Sequence, residues 1–249
     1  MFVDSHCHIY KEYYADIDKI MVKIFNGGIS KIINNGCDYE SCLEVLELSK
    51  SYENVYCALG LHPENDMCDI LKVIDLIKNN KNNKKMVAIG EIGLDYHYEK
   101  DNKDKQIDIF RRQLDLAQEL DLPVIIHSRD ATGDMLKILK DYKLRGVIHC
   151  FNGSIEVAKE YIKMGFKLGI NGVITFKNCK LIDVIKSIGV NNIVFETDSP
   201  YLSPVPYRGT KNDSTNIKYI AEFISSNLSI SVDELSNITN KNVSHIFDI

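Results

Sequence analysis

Eight short runs rich in β-branched residues recur along the chain, each followed by a longer stretch of helical character. No other feature narrows the fold as much. The runs are MFVDSH from Met1, SKIINNG around Ile32, VYCALG around Val55 and MVAIGE around Val87. The other four are PVIIHS around Val124, GVIHCF around Val147, FKLGING around Leu168 and NIVFETD around Val194. Most are continuous apolar runs, the pattern of parallel strands covered on both faces. Between them apolar residues return at helical steps, most clearly after Asp104, where Ile107, Phe110, Leu114 and Ala117 are three or four apart. Pro123 stops that helix near Asp121, and Ser231 with Glu234 opens the last one as a capping box. The lysine- and asparagine-rich stretch from Lys78 to Lys85 reads as a solvated loop before the fourth run. Eight β/α units suit a (β/α)₈ TIM barrel, which takes about 250 residues. An open doubly wound sheet is the alternative, but no glycine-rich phosphate loop follows the first run. One domain is expected over residues 1–249, with no linker and no sequence repeat.

A chain of 249 residues, 45% hydrophobic, needs neither disulfides nor a structural metal to stabilise its core. Any metal it binds is there for chemistry. None of the seven cysteines forms a C-x-x-C pair, so they read as small buried hydrophobes in a reducing compartment. The opening MFVDSHCHIY has no basic region before an apolar core, and no stretch approaches about 18 consecutive apolar residues. A cytoplasmic protein without membrane contact is expected. The net charge of −5 gives no general attraction for a polyanion. If the substrate carries phosphates, attraction must be local, from metal ions and a few basic side chains.

In a barrel, catalytic residues come from the C-terminal ends of several strands. Here the first run ends in His6 and His8, His62 follows the third, and Glu91 ends the fourth. His127 ends the fifth, His149 the sixth, and Asp198 the eighth, just after Glu196. Of the seven histidines only His245, in the last helix, lies away from this pattern, and His97 fits it loosely. One histidine at a strand end is ordinary packing. Five strand ends carrying ionisable groups are not, because such groups are rarely buried without partners. His6 and His8 are two apart, so both imidazoles point to one side of a strand and can grip one cation. Imidazoles with carboxylates suit zinc, manganese, iron or magnesium. Six ligands are too many for one tetrahedral ion and suit two divalent ions sharing a carboxylate, an arrangement that serves hydrolysis.

The same segments identify a family. DSHCHI from Asp4, GLHPEN from Gly60, GEIGLDY from Gly90, LPVIIHSRDA from Leu122, IHCFNGS from Ile148 and ETDSPYLSP from Glu196 occur in family order over nearly the full length. The chain resembles the TatD family of metal-dependent deoxyribonucleases, within the amidohydrolase-like barrels. The resemblance implies one metal on His6, His8 and Asp198, a second on His127 and His149, and Glu91 bridging both. It implies that Asp198 orients or deprotonates the attacking water. The implied activity is DNA hydrolysis, typically from the 3′ end, with magnesium, zinc, manganese or another divalent ion. Two points separate this chain from its relatives. A proline usual after the final asparagine and acidic residue is absent in Asn212, Asp213, Ser214, and Glu91 stands where phosphotriesterase- and dihydroorotase-like barrels carry a carboxylated lysine.

Substrate contacts are expected from His62, Arg129, Arg208 and Tyr96. His62 would hydrogen-bond the scissile phosphate or brace its loop. The two arginines have forks that match phosphate. Asp95 and Tyr96 are placed to line the groove, with Tyr96 stacking on a base. Phe151 serves the groove or the core, and Glu196 orients a ligand histidine. The expected partner is DNA, single-stranded or at its ends, met by a monomer. Rival readings are a barrel hydrolase of a small ester, lactone or amide, and a non-catalytic protein keeping the metal for stability.

Overall fold

The protein is described by a computed structural model over residues 1–65, 67–97 and 101–249. Among the described residues, all eight runs form parallel strands: β1 (Phe2–Cys7), β2 (Ile29–Asn35), β3 (Val55–Leu59), β4 (Met86–Asp95), β5 (Val124–Arg129), β6 (Gly146–Ile148), β7 (Phe166–Ile170) and β8 (Ile193–Phe195). They pair in sequence order from β1 to β8. The chain just after β8 returns to β1: Cys7 bridges Ser199, and the His8 amide donates to the Ser199 carbonyl at 2.7 Å. The sheet is therefore a nearly closed barrel, not the open doubly wound alternative.

Helices α1 (Ile17–Asn26), α2 (Tyr39–Ser51), α3 (Ile70–Asn79), α4 (Lys103–Leu120), α5 (Thr132–Leu139), α6 (Ile155–Lys163) and α7 (Leu181–Ile188) fill the crossovers. Two more, α8 (Ile217–Leu228) and α9 (Val232–Phe247), follow β8. Helix α4 stops as its sequence predicts: Asp121 takes a left-handed φ of 53°, and Pro123 lies just beyond. At the start of α9 the Ser231 hydroxyl accepts from the Glu234 amide at 3.1 Å. The expected loop over 78–85 needs correction, because α3 extends through Lys78 and Asn79. Its buried stripe of Ile70, Val73 and Ile77 carries the helix that far, and Lys78 in the last turn faces the negative end of the dipole.

Two apolar clusters hold the fold together. The larger lies between the strands and the helical shell. The smaller joins Val3, Ile33, Ala58, Val87, Ala88, Ile125, Val147 and Val194 to Val243, Ile246 and Phe247 of α9. Side chains from that many strands meet only inside the barrel, so α9 seals its N-terminal end. Side chains two apart on a strand share a side. Two residues past Ile125 comes His127, past Val147 comes His149, and past Val194 comes Glu196, then Asp198. The barrel interior thus changes from apolar to ionisable within one pleat. No helix among the described residues is long and apolar enough to cross a membrane.

Candidate metal centre

Glu91 sits at the middle of the polar end, and its place there depends on a defect in β4. Ile89 packs in the outer cluster, so strict alternation would point Glu91 outward as well. The β4–β5 register shifts between Ile89 and Ile92, and this irregularity turns Glu91 into the barrel. Gly93 then passes so close to β5 that an added Cβ would overlap the His127 carbonyl oxygen.

The two carboxylate oxygens of Glu91 face different neighbours. Oε2 lies 3.4 Å from both His6 Nε2 and His8 Nε2. Those nitrogens are 3.0 Å apart and stand 3.5 and 3.4 Å from Asp198 Oδ1. Oε1 lies 2.9 Å from His149 Nε2, 3.0 Å from His127 Nδ1 and 3.5 Å from His62 Nε2. His127 Nδ1 and His149 Nε2 are 3.3 Å apart. Ligand atoms held about 2.0–2.2 Å from a common cation at tetrahedral angles sit roughly 3.3–3.6 Å from one another. Both groups approach that spacing. His6–His8–Glu91, His6–His149–Asp198 and His62–Glu91–His127 each bring their ligand atoms within 4.8 Å of one another.

The outward nitrogens of several of these rings are anchored. His8 Nδ1 lies 3.1 Å from the Asn35 carbonyl and 2.9 Å from the Tyr10 hydroxyl. His127 Nε2 lies 2.9 Å from Asp95 Oδ2, and Asp95 is itself clasped by Gln106, which accepts from its amide and donates to its carbonyl. Glu196, fully buried, accepts from the Cys150 amide and Asn171 and stands 3.5 Å from His149 Nδ1. Gly169 makes room for it, since a Cβ there would overlap Glu196 Oε2. Fixing the outer nitrogen of a histidine orients the inner one toward a cation. A mixed imidazole–carboxylate set held in this way fits a divalent metal.

Electrostatics follow from burial and crowding. Burial disfavours charge on Glu91 and Asp198, yet the surrounding histidines outweigh it and hold both carboxyls well below the usual range. Burial likewise opposes protonation of His149, His8 and His127, but Glu91 with Glu196, Asp198 or Asp95 raises all three. His62 differs: burial, with the neighbouring histidines, pushes it down to about 3 and leaves it neutral. Buried Asp4 is pushed up to about 6 and accepts from the Thr197 hydroxyl at 2.6 Å and amide at 3.0 Å, tying β1 to the turn that carries Asp198. Asp198 has a left-handed φ of 55° and Cys150 one of 46°, so the backbone is strained at one candidate ligand and just after another, His149.

The structure brings His6, His8, Glu91, His127, His149 and Asp198 together, and adds His62 to the half that holds His127. Arg129 is exposed at the end of β5, where its charge helps His127 hold the Asp95 carboxyl down and opposes the burial that raises Glu64. Arg208 is exposed further along, its guanidinium 4.3 Å from the centroid of Phe176. It lines a cleft of about 780 Å³ between the loops after β6, β7 and β8, with Asn152, Ser154, Lys177 and Lys180. The six converging residues do not line that cleft, so it is a neighbouring groove. Tyr96 is corrected: its ring is buried, its hydroxyl meets Asp134 at 3.0 Å, and Lys103 covers one face, so it offers no surface for a base. Asp95 is likewise no groove wall but the anchor of His127. Phe151 packs in the outer core, edge to face with Tyr161. His97 pairs with Asp130 at 2.9 Å, and His245 is exposed on α9. Sequence reading missed the anchoring roles of Asn35, Gln106 and Asp4. Asp4 gave a signal as a carboxylate inside the apolar first run, whereas Gln106 lies in the charged stretch NKDKQID and Asn35 acts through its backbone carbonyl, so neither stands out.

Comparison with known proteins gives the family. A family model described as TatD related DNase matches residues 3–248. The uncharacterized metal-dependent hydrolase YabD of Bacillus subtilis is 38% identical, with 100% of each chain covered. YcfH of Escherichia coli, also an uncharacterized metal-dependent hydrolase, is 33% identical over 99% of this chain and 96% of its own. The crystal structure of YjjV, a TatD homologue from Escherichia coli, matches with a TM-score of 0.93 and 29% identity, covering 100% of this chain and 98% of that one. With nearly every residue inside the family model and its relatives named for metal-dependent hydrolysis, the chain belongs to the TatD family of metal-dependent hydrolases.

Proposed function

We propose that this protein is a deoxyribonuclease that hydrolyses phosphodiester bonds with two divalent cations bound at the barrel mouth. The observation that carries this reading is the division of Glu91: one oxygen faces His6 and His8, the other His127 and His149. A carboxylate so placed bridges two sites. His6, His8 and Asp198 would hold one cation, and His127 and His149 the other. When bound, such a pair supplies an activated water and clamps the attacking and leaving oxygens.

The remaining work falls to the chain's own groups. Asp198, kept ionised by His6 and His8, accepts a proton from the attacking water at its carboxylate. His62, neutral and buried beside Glu91 Oε1, offers a hydrogen bond to a phosphate oxygen without adding charge. Arg129 and Arg208 contact phosphates flanking the cleaved bond. Arg208 stacks its flat face on Phe176 and leaves its N–H edge for bidentate contact. Given the net charge of −5, these local cations supply the attraction for DNA. Attack from the 3′ end is part of this proposal and rests on the resemblance given by the sequence motifs.

The test is a nuclease assay on end-labelled single- and double-stranded DNA with magnesium, manganese and zinc, and a chelator control. Progressive loss of 3′ nucleotides, abolished by the chelator, is expected, with about two metal ions per chain by mass spectrometry. Absence of cleavage with every metal, alongside metal-dependent hydrolysis of a lactone or small ester, would move the protein to the small-substrate class.

A further inference from the structure

Tyr201, Val205 and Tyr207 account for three of the seven exposed large hydrophobic side chains among the described residues. All three fall in one loop, which begins just after Asp198. Tyr201 is 50% exposed, yet it is not loosely held. Its hydroxyl donates to that of Tyr13 at 2.9 Å, and the two rings meet edge to face at 5.8 Å. Tyr13 in turn stacks on Tyr10, centroids 5.5 Å apart and 28° from parallel. Tyr10 packs against His8 at 5.6 Å, and its hydroxyl stands 2.9 Å from His8 Nδ1. A column of rings therefore runs from solvent to a residue of the metal centre. Burial increases inward, from Tyr201 through half-buried Tyr13 to buried Tyr10.

Core packing explains Tyr10 but not Tyr201, whose ring stays half in water while its hydroxyl fixes its position. A large aromatic face held rigid beside a polar catalytic mouth is what an unpaired base stacks on. Lys211 adds a cation at its foot, bonding the Tyr13 carbonyl while its ammonium lies 5.4 Å from the Tyr14 ring. We propose that Tyr201, supported by Tyr13, is a stacking platform for the nucleobase of a nucleotide adjoining the scissile bond. This rests on the nuclease reading above and assigns the recognition of an unpaired strand to a surface on the β1 and β8 loops. A base stacked there is splayed from any complement, so the platform selects single strands and frayed ends.

The experiment uses the metal-loaded protein and single-stranded oligonucleotides with an abasic residue walked through the positions nearest the cleaved end. One position is expected to cost about tenfold in kcat/KM, carried mainly by KM, as loss of one base–aromatic stack does. Tyr201→Ala, with wild-type metal content, is expected to cost about tenfold on intact DNA and to lose the abasic penalty at that position. Tyr201→Trp and Tyr201→Phe keep a ring and are expected to retain the penalty. An equal abasic penalty in wild type and Tyr201→Ala, or no penalty at any position while intact DNA is cleaved, overturns the platform and leaves the nuclease reading standing. Failure to cleave any DNA overturns both.

Discussion

The two ends of the barrel are built from the same strands and do opposite things. At the N-terminal end, Val3, Ile125, Val147 and Val194 close on Val243, Ile246 and Phe247 of α9 in an apolar cluster. One pleat further on, the same strands present His127, His149 and Glu196, and β1, whose pairing with β2 is irregular, presents His6 three residues past Val3. The lower end gains stability by removing apolar surface from water. The upper end brings carboxylates and imidazoles into a buried site, where each must find a partner or a cation. Stability and chemistry are therefore separated along the barrel axis. Substitutions at one end should leave the other nearly untouched.

The sharpest break in that comparison is Glu91→Gln. The amide keeps the shape but loses the charge that both halves of the centre share. Metal content should fall to one ion per chain or fewer. Loss of several kcal/mol of transition-state stabilisation should reduce kcat for DNA by about 10³-fold. Adding metal to the chelator-treated wild type should raise Tm, because a ligand at about 100 times its Kd stabilises the native state by roughly 2.7 kcal/mol. In Glu91→Gln that rise should largely disappear. A metal-free Tm well below wild type would show that the mouth also carries the fold.

Phe247→Ala is the converse. It empties part of the lower plug and should cost about 3–5 kcal/mol of stability. Metal stoichiometry and the metal-induced rise in Tm should match wild type, by mass spectrometry and differential scanning calorimetry. Loss of bound metal in a variant that remains folded would join the two ends and refute their separation.

How far each end is legible in sequence follows from how local its cause is. The eight strands and the six converging residues are readable because apolar runs ending in histidine or a carboxylate need only short-range pattern. The plug is not, because nothing in VDELSNITNKNVSHIF says which strands its buried face will meet. Tyr96 was misplaced although the pattern contained the answer. Glu91, Gly93 and Asp95 are two apart and point inward, so Tyr96 belongs to the outer shell. Phe151 is the opposite case. It is two past His149 and should share its side, but left-handed Cys150 breaks the alternation and sends the ring into the outer core. The inward turn of Glu91 depends on the register shift against β5, a pairing property that no single strand encodes.

Asp95→Asn probes the support of the mouth. Asp95 holds His127 Nε2 at 2.9 Å, and burial working against its charge is outweighed by His127, so its carboxyl lies below the usual value. Weakening that anchor should lower affinity for the ion on His127 and His149 by about 10–100-fold, as for other outer partners of metal-binding histidines. Excess metal should recover most of the activity, whereas it should not rescue Glu91→Gln. Equal behaviour of the two variants in a metal titration would mean that Asp95 does more than hold the ring.

The smallest effect is expected at the edge of the upper end, from Arg208→Ala. Arg208 lies outside the converging set, over Phe176, beside the cleft that also contains Lys177 and Lys180. Its distance from the ligands predicts unchanged metal content and an unchanged metal-induced rise in Tm. Its guanidinium, if it pairs with one phosphate, predicts a KM for DNA raised roughly fivefold, the value of one charge-assisted hydrogen bond at a wet surface. Each phosphate contact also releases condensed counterions, so the slope of log affinity against log salt should become shallower by about 0.7 for a single strand. These two readouts separate charge from shape. Arg208→Lys should keep the salt slope and lose part of the affinity, because an ammonium retains the charge without the planar fork stacked on Phe176. A variant with both KM and salt slope equal to wild type would make Arg208 a solvated side chain. The upper end of the barrel would then draw DNA through Arg129 and the metal ions alone.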